Sequence, residues 1–531
     1  MMENNLASQS ETCQCSPHEQ LRSTMRTLPK SDALDGLIPF YWKTQVITYN
    51  VHRITLPPVD FHPRVFYPNN STRLDFDMIA VGLQEMSYIP ACYLTTSVLK
   101  KKSWAELFER FYSSRGFVRL SFNASGRLQM VGMLLLVFVR RSMLKYVRKV
   151  EVKYVKTGFN GYSGHKGAIC ARIVVGDSVS IVLVNCHLNP DPNNAEYRVW
   201  EYNLITEKCR LSEAQKPADF DYVLWFGDMN FRVQRIEPED ALNFIRKELY
   251  STLLEYDQLT TLRRLKVAFH EYDETDITFK PSYKYLPGTS NFDPCRLPSY
   301  CDRILYRKAV DAQQKPGFPL EILSFYYGSF PDAVCSDHKP VSATFMITSY
   351  VMECGVPPIL FESPSYVRGT CWLVGRSNIC RFVQRFDYTP GLWDWIGVYK
   401  MDFANDRDVV TYAYMLTAWE EGVAENGVVQ NILFKERFIP PAGKYLLGCF
   451  SRRNRCLIAL SDPFEVIDPR ELAKSFASRR RPRKRRQTSM PSLETYNRKD
   501  NRNAKALQHT FRMNTNKSTM LNFNPMQANL L

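Results

Sequence analysis

The stretch Asp221–Asn230, DYVLWFGDMN, is a nearly unbroken apolar string that ends abruptly in an acid and an amide. Such a string suits a strand buried on both faces, because a strand with one wet face alternates polar and apolar residues. The same form recurs outward from it in QVITYNV, MIAVGLQE, QMVGMLLLVFV, AICARIVV, VSIVLVNCHL and SATFMI. Longer amphipathic stretches lie between them, and SYIPACYLTTSVLKKKSWAELFERFYSS, NNAEYRVWEYNLITEKCRLSE and EPEDALNFIRKELYSTLLEYDQL read as helices. Residues 40–349 are therefore expected to form an α/β domain with a layered, sheet-centred core. Residues 1–39 are polar and turn-rich, and are expected to be disordered.

From 350 to 468 the pattern changes. Short strands such as TCWLVG, DWIGVYK, TYAYMLTAW and KYLLGCF are broken by Gly and Pro every ten or so residues, which predicts a small all-β sandwich. The remaining residues, 469–531, read as a disordered basic tail. From Ile467 onward there are 15 Lys/Arg against 4 Asp/Glu, with seven bases in Arg479–Arg486 alone, so the tail holds most of the chain's net charge of +15. Three readings of it stay open: an anchor to anionic lipid, a nuclear-import or nucleic-acid patch, and a solubilising tail without a partner.

Several classes are excluded. Aromatic residues make up 13% of the chain, too much apolar surface for disorder throughout. The longest apolar run, Met130–Val139, stops at Arg140–Arg141, about half of the roughly 20 residues a membrane span needs. The polar N-terminus does not read as a signal peptide, so a soluble intracellular protein is expected. Fourteen cysteines are scattered without a C-x-x-C, which favours reduced, buried thiols over a zinc site or a disulfide framework.

The informative positions are where the apolar strings stop. They end at Asn50, Glu85, His187, Asp228 and Asn230, and two further polar clusters carry Asp302 and then Asp337 and His338. Any one of these is readily a satisfied core residue. So many at separate strand ends are costly to bury unless they pair or bind something. Carboxylate and amide oxygens suit a hard cation such as Mg²⁺, and nearby histidines can contact a phosphate or move a proton. The chemistry this predicts is metal-assisted attack of water on a phosphate ester. Just before Asp302, a Pro-rich stretch supplies Lys280, Tyr283, Lys284 and Arg296, groups suited to gripping further phosphates.

These residues sit in segments that resemble a known family. WFGDMNFR and RLPSYCDRIL are similar to the two signature segments of the inositol polyphosphate 5-phosphatases. The likeness continues in family order through ITYNV, GLQE, GHKGAICAR, CHL, EYDQL, FKPSYKY and SDHKPV, over about Gln45–Thr344. It implies the four-layered endonuclease/exonuclease/phosphatase sandwich and removal of the 5-phosphate from phosphatidylinositol 4,5-bisphosphate, the 3,4,5-trisphosphate or soluble inositol polyphosphates. By that resemblance Glu85 is the principal Mg²⁺ ligand, with Asn50 and Asp337 on the metal side. Asp228 orients or deprotonates the attacking water, Asn230 stabilises the transition state, and His187 and His338 contact the scissile phosphate. Asp302 holds the tautomer of His338, while Tyr283, Lys284 and Arg296, with Lys280 beside them, read the neighbouring 4-phosphate.

Two positions depart from the family's commonest pattern: His52 after ITYNV, and His165 in GHKG, each where Asn is usual. DYTPGLWDWIGVY, GKYLLGCF and LSDPFEV resemble the SKICH domain, an immunoglobulin-like β-sandwich that follows the catalytic domain in one branch of the family. That likeness implies protein partners through the SKICH-like domain, and a cytoplasmic location with peripheral recruitment to plasma membrane or endoplasmic reticulum. Anionic lipid is the partner expected for the tail, and no nucleic acid is expected. A nuclease of the same superfold and an inactive scaffold are the competing readings.

Overall fold

All the apolar strings quoted above become strands. The computed structural model describes residues 37–470 apart from 55, 68–73, 87–102, 123–127, 162, 177–178, 212–218, 310–318, 353–356 and 365–370. The expected N-terminal disorder up to residue 36, the basic tail from 471, and the first half of the helix read from Ser87 all lie outside the described residues. No helix among the described residues is long and apolar enough to cross a membrane.

The first sheet holds β1 (Leu37–Asn50), β2 (Met78–Gln84), β3 (Phe117–Arg119), β4 (Leu128–Met130) and β5 (Met133–Arg140). The second holds β6 (Val147–Thr157), β7 (Ser163–Val175), β8 (Val179–His187), β9 (Tyr222–Asp228) and β10 (Asp302–Lys308). Strands β11 (Ile322–Ser329) and β12 (Val341–Met352) return to the first sheet, giving the orders β11-β12-β1-β2-β5-β3 and β10-β9-β8-β7-β6. Every residue of β2, β8 and β9 is buried, as their unbroken apolar strings require. Between the sheets, Val46, Ala80, Leu135 and Val137 meet Ile169, Ile181, Leu183 and Phe226. Each such side chain removed from water contributes roughly 1.5–3 kcal/mol.

Outside the first sheet packs the helix Trp104–Ser113, which is capped by a reciprocal Ser103–Glu106 box. Outside the second pack the helices Ala195–Lys208 and Gln258–Arg264. The layers are therefore helix, sheet, sheet, helix, the four-layered sandwich.

Three boundaries differ from the sequence reading. QMVGMLLLVFV is a hairpin, β4 and β5, turning at Val131–Gly132 with Gly132 at φ 73°. The helix read from Glu237 to Leu259 is broken, because Glu248 takes φ 57° between the helices Pro238–Arg246 and Tyr250–Leu254. Finally, β1 begins at Leu37 and β12 runs to Met352, paired antiparallel from Leu37↔Met352 to Thr48↔Val341. This ladder carries the α/β unit past the expected limits of 40 and 349.

Beyond it, β13 (Ile359–Glu362), β15 (Asn378–Arg385), β18 (Trp419–Ala424) and β19 (Gly427–Phe434) form one sheet of a sandwich. The other is made of β14 (Trp372–Leu373), β16 (Trp395–Lys400), β17 (Val409–Tyr414), β20 (Gly443–Ser451), β21 (Cys456–Leu460) and β22 (Phe464–Ile467).

The sandwich is joined to the α/β part by backbone bonds, and the chain to Leu472 forms one compact unit. Arg119 N donates to Ala404 O at 2.9 Å and Asp406 N to Arg119 O at 3.2 Å, so Asn405 forms a single parallel β-bridge to Arg119 of β3. Val150 N of β6 donates to Asn454 O at 2.9 Å. The buried Asp406 carboxylate accepts Ser121 N at 3.1 Å. Burial pushes its pKa up to about 6, against the pull of the Ser121 bonds.

This carboxyl therefore favours folding fully below the unfolded value near 4, and the contribution is lost as pH rises through about 6. We expect Asp406→Asn, which keeps an acceptor for Ser121, to flatten that dependence. Relative to wild type it should gain roughly 1.4 kcal/mol between pH 5 and pH 8, read from urea unfolding at the two pH values.

Candidate active site

Strand register builds the site. Parallel pairing sets His187 of β8 opposite Asp228 of β9, and antiparallel pairing sets Asp302 of β10 opposite Asp228. On the other side of β8, Gly167 of β7 faces His187, which brings Lys166 to the same end. In the first sheet Asn50 pairs with Gln84, so Asn50 and Glu85 stand at adjacent strand ends. Gly227, at φ 141°, is required here: a Cβ on it would lie 2.0 Å from Cys186 O. Glu85 and Asn230 adopt φ of 53° and 57°, conformations costing about 1–2 kcal/mol each that turn their side chains out of the strand direction.

Asp228 is buried and tied at both oxygens. Oδ1 accepts Asn230 N at 3.1 Å, and Oδ2 accepts Asn50 Nδ2 at 2.9 Å. Burial raises its pKa above the usual carboxylate range and the Asp302 charge adds to this, while His338, Lys166 and Asn50 oppose it. His187 Nε2 lies 3.4 Å from Asp228 Oδ2 and 3.8 Å from Glu85 Oε1, and it accepts a short bond from Lys166 Nζ. Burial, then Lys166, His338 and His165, hold His187 well below its ordinary pKa, so its imidazole is neutral.

His338 is the opposite case. Its Nδ1 donates to Asp302 Oδ2 at 2.8 Å, and the same oxygen accepts the Ser282 hydroxyl at 2.7 Å. Burial disfavours its charge, but Asp302, Asp228 and Asp337 outweigh that and hold its pKa at about 9. The Ser336 hydroxyl donates to Asn50 O at 2.7 Å and accepts His338 N at 3.1 Å, locking the turn to the end of β1. Atoms of Asp228, Asp302 and His338 lie within 4.8 Å of one another. Asp302 holds the Nδ1 proton of His338, so the two acids and the imidazole form one ion-paired cluster.

Glu85 has the character of a ligand position. Its oxygens approach Arg53 Nε and His187 Nε2 only at 3.8 Å, too far for hydrogen bonds. It lines a cavity of about 930 Å³ with Arg53, His165, Lys166 and His187. A carboxylate that, among the described residues, has no hydrogen-bonded cation, beside an amide, is the oxygen donor set of a hard divalent ion. The Asn50 oxygen accepts His52 N at 3.0 Å, and Asp337 Oδ1 meets His52 Nδ1 at 3.0 Å. His52 thus bridges the two residues expected beside Glu85.

The four residues expected to grip further phosphates are divided. Tyr283 packs its ring 4.5 Å from that of His338, and Lys284 follows it, held by Asp293 at 3.2 Å. Lys280 and Arg296 instead line a separate hollow of about 500 Å³ with Leu242, Ile245 and Phe292, and none of the strand-end residues above lines it.

Sequence reasoning gave no role to three supporting groups. Lys166 bonds His187, and Ser282 bonds Asp302. Arg232 donates to Asn230 Oδ1 at 2.6 Å and lies 4.5 Å over the Tyr283 ring. Lys166 and Arg232 were visible inside GHKG and WFGDMNFR. For Ser282, one common residue among many, no signal was available.

Comparisons with known proteins bear on the family of the chain. The family model of endonuclease/exonuclease/phosphatase family 2 matches residues 47–344, and that of the SKICH domain matches 368–466. Human phosphatidylinositol 4,5-bisphosphate 5-phosphatase A is 28% identical over 446 residues, which cover 82% of this chain and 42% of the relative. The chain thus spans well under half the length of that protein. Mouse inositol polyphosphate 5-phosphatase K is 28% identical over 442 residues, covering 80% of this chain and 90% of its own. A solved inositol polyphosphate 5-phosphatase domain of spsynaptojanin, in complex with inositol (1,4)-bisphosphate and calcium ion, has a TM-score of 0.51 at 27% identity. It covers 64% of this chain and 93% of that one.

Removing the Asp302 carboxylate should expose its hold on His338. In Asp302→Asn the imidazole titration followed by NMR should move down from about 9 toward the ordinary value near 6.5. An unmoved midpoint would assign the shift to other groups.

Proposed function

The chain belongs to endonuclease/exonuclease/phosphatase family 2, and from that premise we propose that it is a metal-dependent phosphatase. It removes the 5-phosphate of phosphatidylinositol 4,5-bisphosphate and phosphatidylinositol 3,4,5-trisphosphate, and of soluble inositol polyphosphates carrying the same phosphates. Its named relatives are inositol polyphosphate 5-phosphatases. The observation that carries the reading is the register row Gly167–His187–Asp228–Asp302, with Lys166 next to Gly167 and bonded to His187, faced by Glu85 and Asn50, and with Tyr283 and Lys284 beside His338. A nuclease of the same superfold needs the row but gives no reason for the FKPSYKY stretch next to it.

Each residue then has a task. Glu85 and Asn50, with Asp337, would hold a divalent ion such as Mg²⁺, which would neutralise charge at the phosphate. Asp228, its carboxylate fixed by Asn50 and Asn230 and made more basic by burial, takes a proton from the attacking water. His338, cationic at neutral pH and oriented by Asp302, presents Nε2–H to a phosphate oxygen. Neutral His187 and the cationic Lys166 behind it contact the same phosphate, and Asn230 stabilises the charge that builds in the transition state. Tyr283 and Lys284 read the 4-phosphate, with Arg296 and Lys280 on the adjoining hollow. Recruitment from the cytoplasm to plasma membrane or endoplasmic reticulum, by protein partners of the SKICH domain and by anionic lipid at the tail, belongs to the same reading.

Phosphate release is measured with Mg²⁺ on phosphatidylinositol 4,5-bisphosphate vesicles and on inositol 1,4,5-trisphosphate. Asp228→Ala and His338→Ala should each lower turnover by about 10²–10⁴-fold with unchanged circular dichroism. Normal rates in either would move the chemistry elsewhere. Lys284→Ala should reduce discrimination in favour of substrates with a 4-phosphate by roughly tenfold, and a chelator should abolish release by wild type.

A further inference from the structure

The SKICH domain carries an edge on which apolar and basic groups are displayed together. Leu392, Trp393 and Leu416 are 60%, 58% and 63% exposed, and Phe386, Tyr412 and Tyr414 are exposed around them. Fixed backbone contacts gather them. The buried carboxylate of Asp394 accepts Tyr388 Oη at 2.7 Å and Gly391 N at 2.9 Å through Oδ2, and Arg452 N at 2.7 Å through Oδ1. Its carbonyl accepts Met415 N at 2.9 Å, and the Trp393 and Tyr414 rings lie 5.8 Å apart. One satisfied buried acid therefore ties three loops together, and the large apolar groups between them are held out in water at a cost that needs an occupant.

The charge beside them says which occupant. Arg452 and Arg453 are exposed on the turn bonded to Asp394. Next to it a cleft of about 930 Å³ is lined by Lys149, Lys153, Arg210, Arg453 and Arg455. The acids on that cleft are already engaged: Glu151 by Lys149 at 3.1 Å and Arg172 at 2.8 Å, Asp387 by Arg385 at 2.6 Å, and Asp394 as above, which leaves Lys153, Arg453 and Arg455 as bases in excess. The opposite case is β18, where Trp419 and Val423 are also exposed but stand among Glu420, Glu421 and Glu425. An anionic surface would repel that strand and attract the Leu392–Trp393 edge.

We propose that this edge is a membrane-contacting surface, inserting Leu392, Trp393 and Leu416 into the interface of an anionic bilayer while the adjacent arginines meet lipid phosphates. Indole and leucine side chains rimmed by bases are the composition that partitions to the boundary between headgroups and acyl chains.

The test uses the full chain and vesicles of phosphatidylcholine and phosphatidylserine brominated on the acyl chains, with tryptophan emission as the readout. The segment beyond residue 470 contains no tryptophan, so binding through the basic tail alone gives no quenching. Wild type should be quenched. Trp393→Phe should bind the vesicles but lose most of the quenching, and Leu392→Ser combined with Leu416→Ser should weaken binding roughly tenfold. Release from soluble inositol 1,4,5-trisphosphate should stay at the wild-type rate in both variants. Wild-type binding without quenching, or quenching that survives Trp393→Phe, overturns the proposal. The first result would give the edge to a protein partner instead.

Discussion

The pairing of β8 with β9 at His187 and Asp228 is the constraint on which the site depends. Two strands can run this close at their ends only because residue 227 has no side chain to meet Cys186 O. From that contact the positions of the other groups follow by register, to Asp302 across β9–β10 and to Gly167 across β7–β8, whose neighbour Lys166 bonds His187. The sheet acts as a ruler. No loop has to find its own conformation for these four residues to converge, which limits the entropy that binding must overcome.

The same row separates two histidines by protonation state. His187 sits beside an ammonium and is kept neutral, while His338 sits beside carboxylates and is kept charged. One site therefore holds an imidazole and an imidazolium over the same pH range, a division of labour set by neighbours and not by residue type.

Much of this was legible in the sequence, for a physical reason. A polar residue ending a fully buried strand needs a partner there, and Asn50, Glu85, His187 and Asp228 converge at neighbouring strand ends. What failed to show was local geometry without a compositional mark. The turn at Val131–Gly132 lies within a continuous apolar string, and the break at Glu248 falls on a residue that normally continues a helix. Lys280 and Arg296 read as partners of Lys284 because they are near in sequence, yet they open onto a different hollow. Loop residues carry no register, so sequence distance misleads there.

The joint between sandwich and α/β part has a consequence for solubility. Strand β3 lies at the margin of its sheet, and the Phe403–Arg407 segment completes its backbone bonding through Arg119. An α/β fragment ending near Met352 would bare that margin, with an amide and a carbonyl of Arg119 seeking other partners. A second fragment is the nearest source of both, and an open strand margin is a template for aggregation. Precipitation of such a fragment would then report an uncovered sheet edge rather than an α/β core unable to fold.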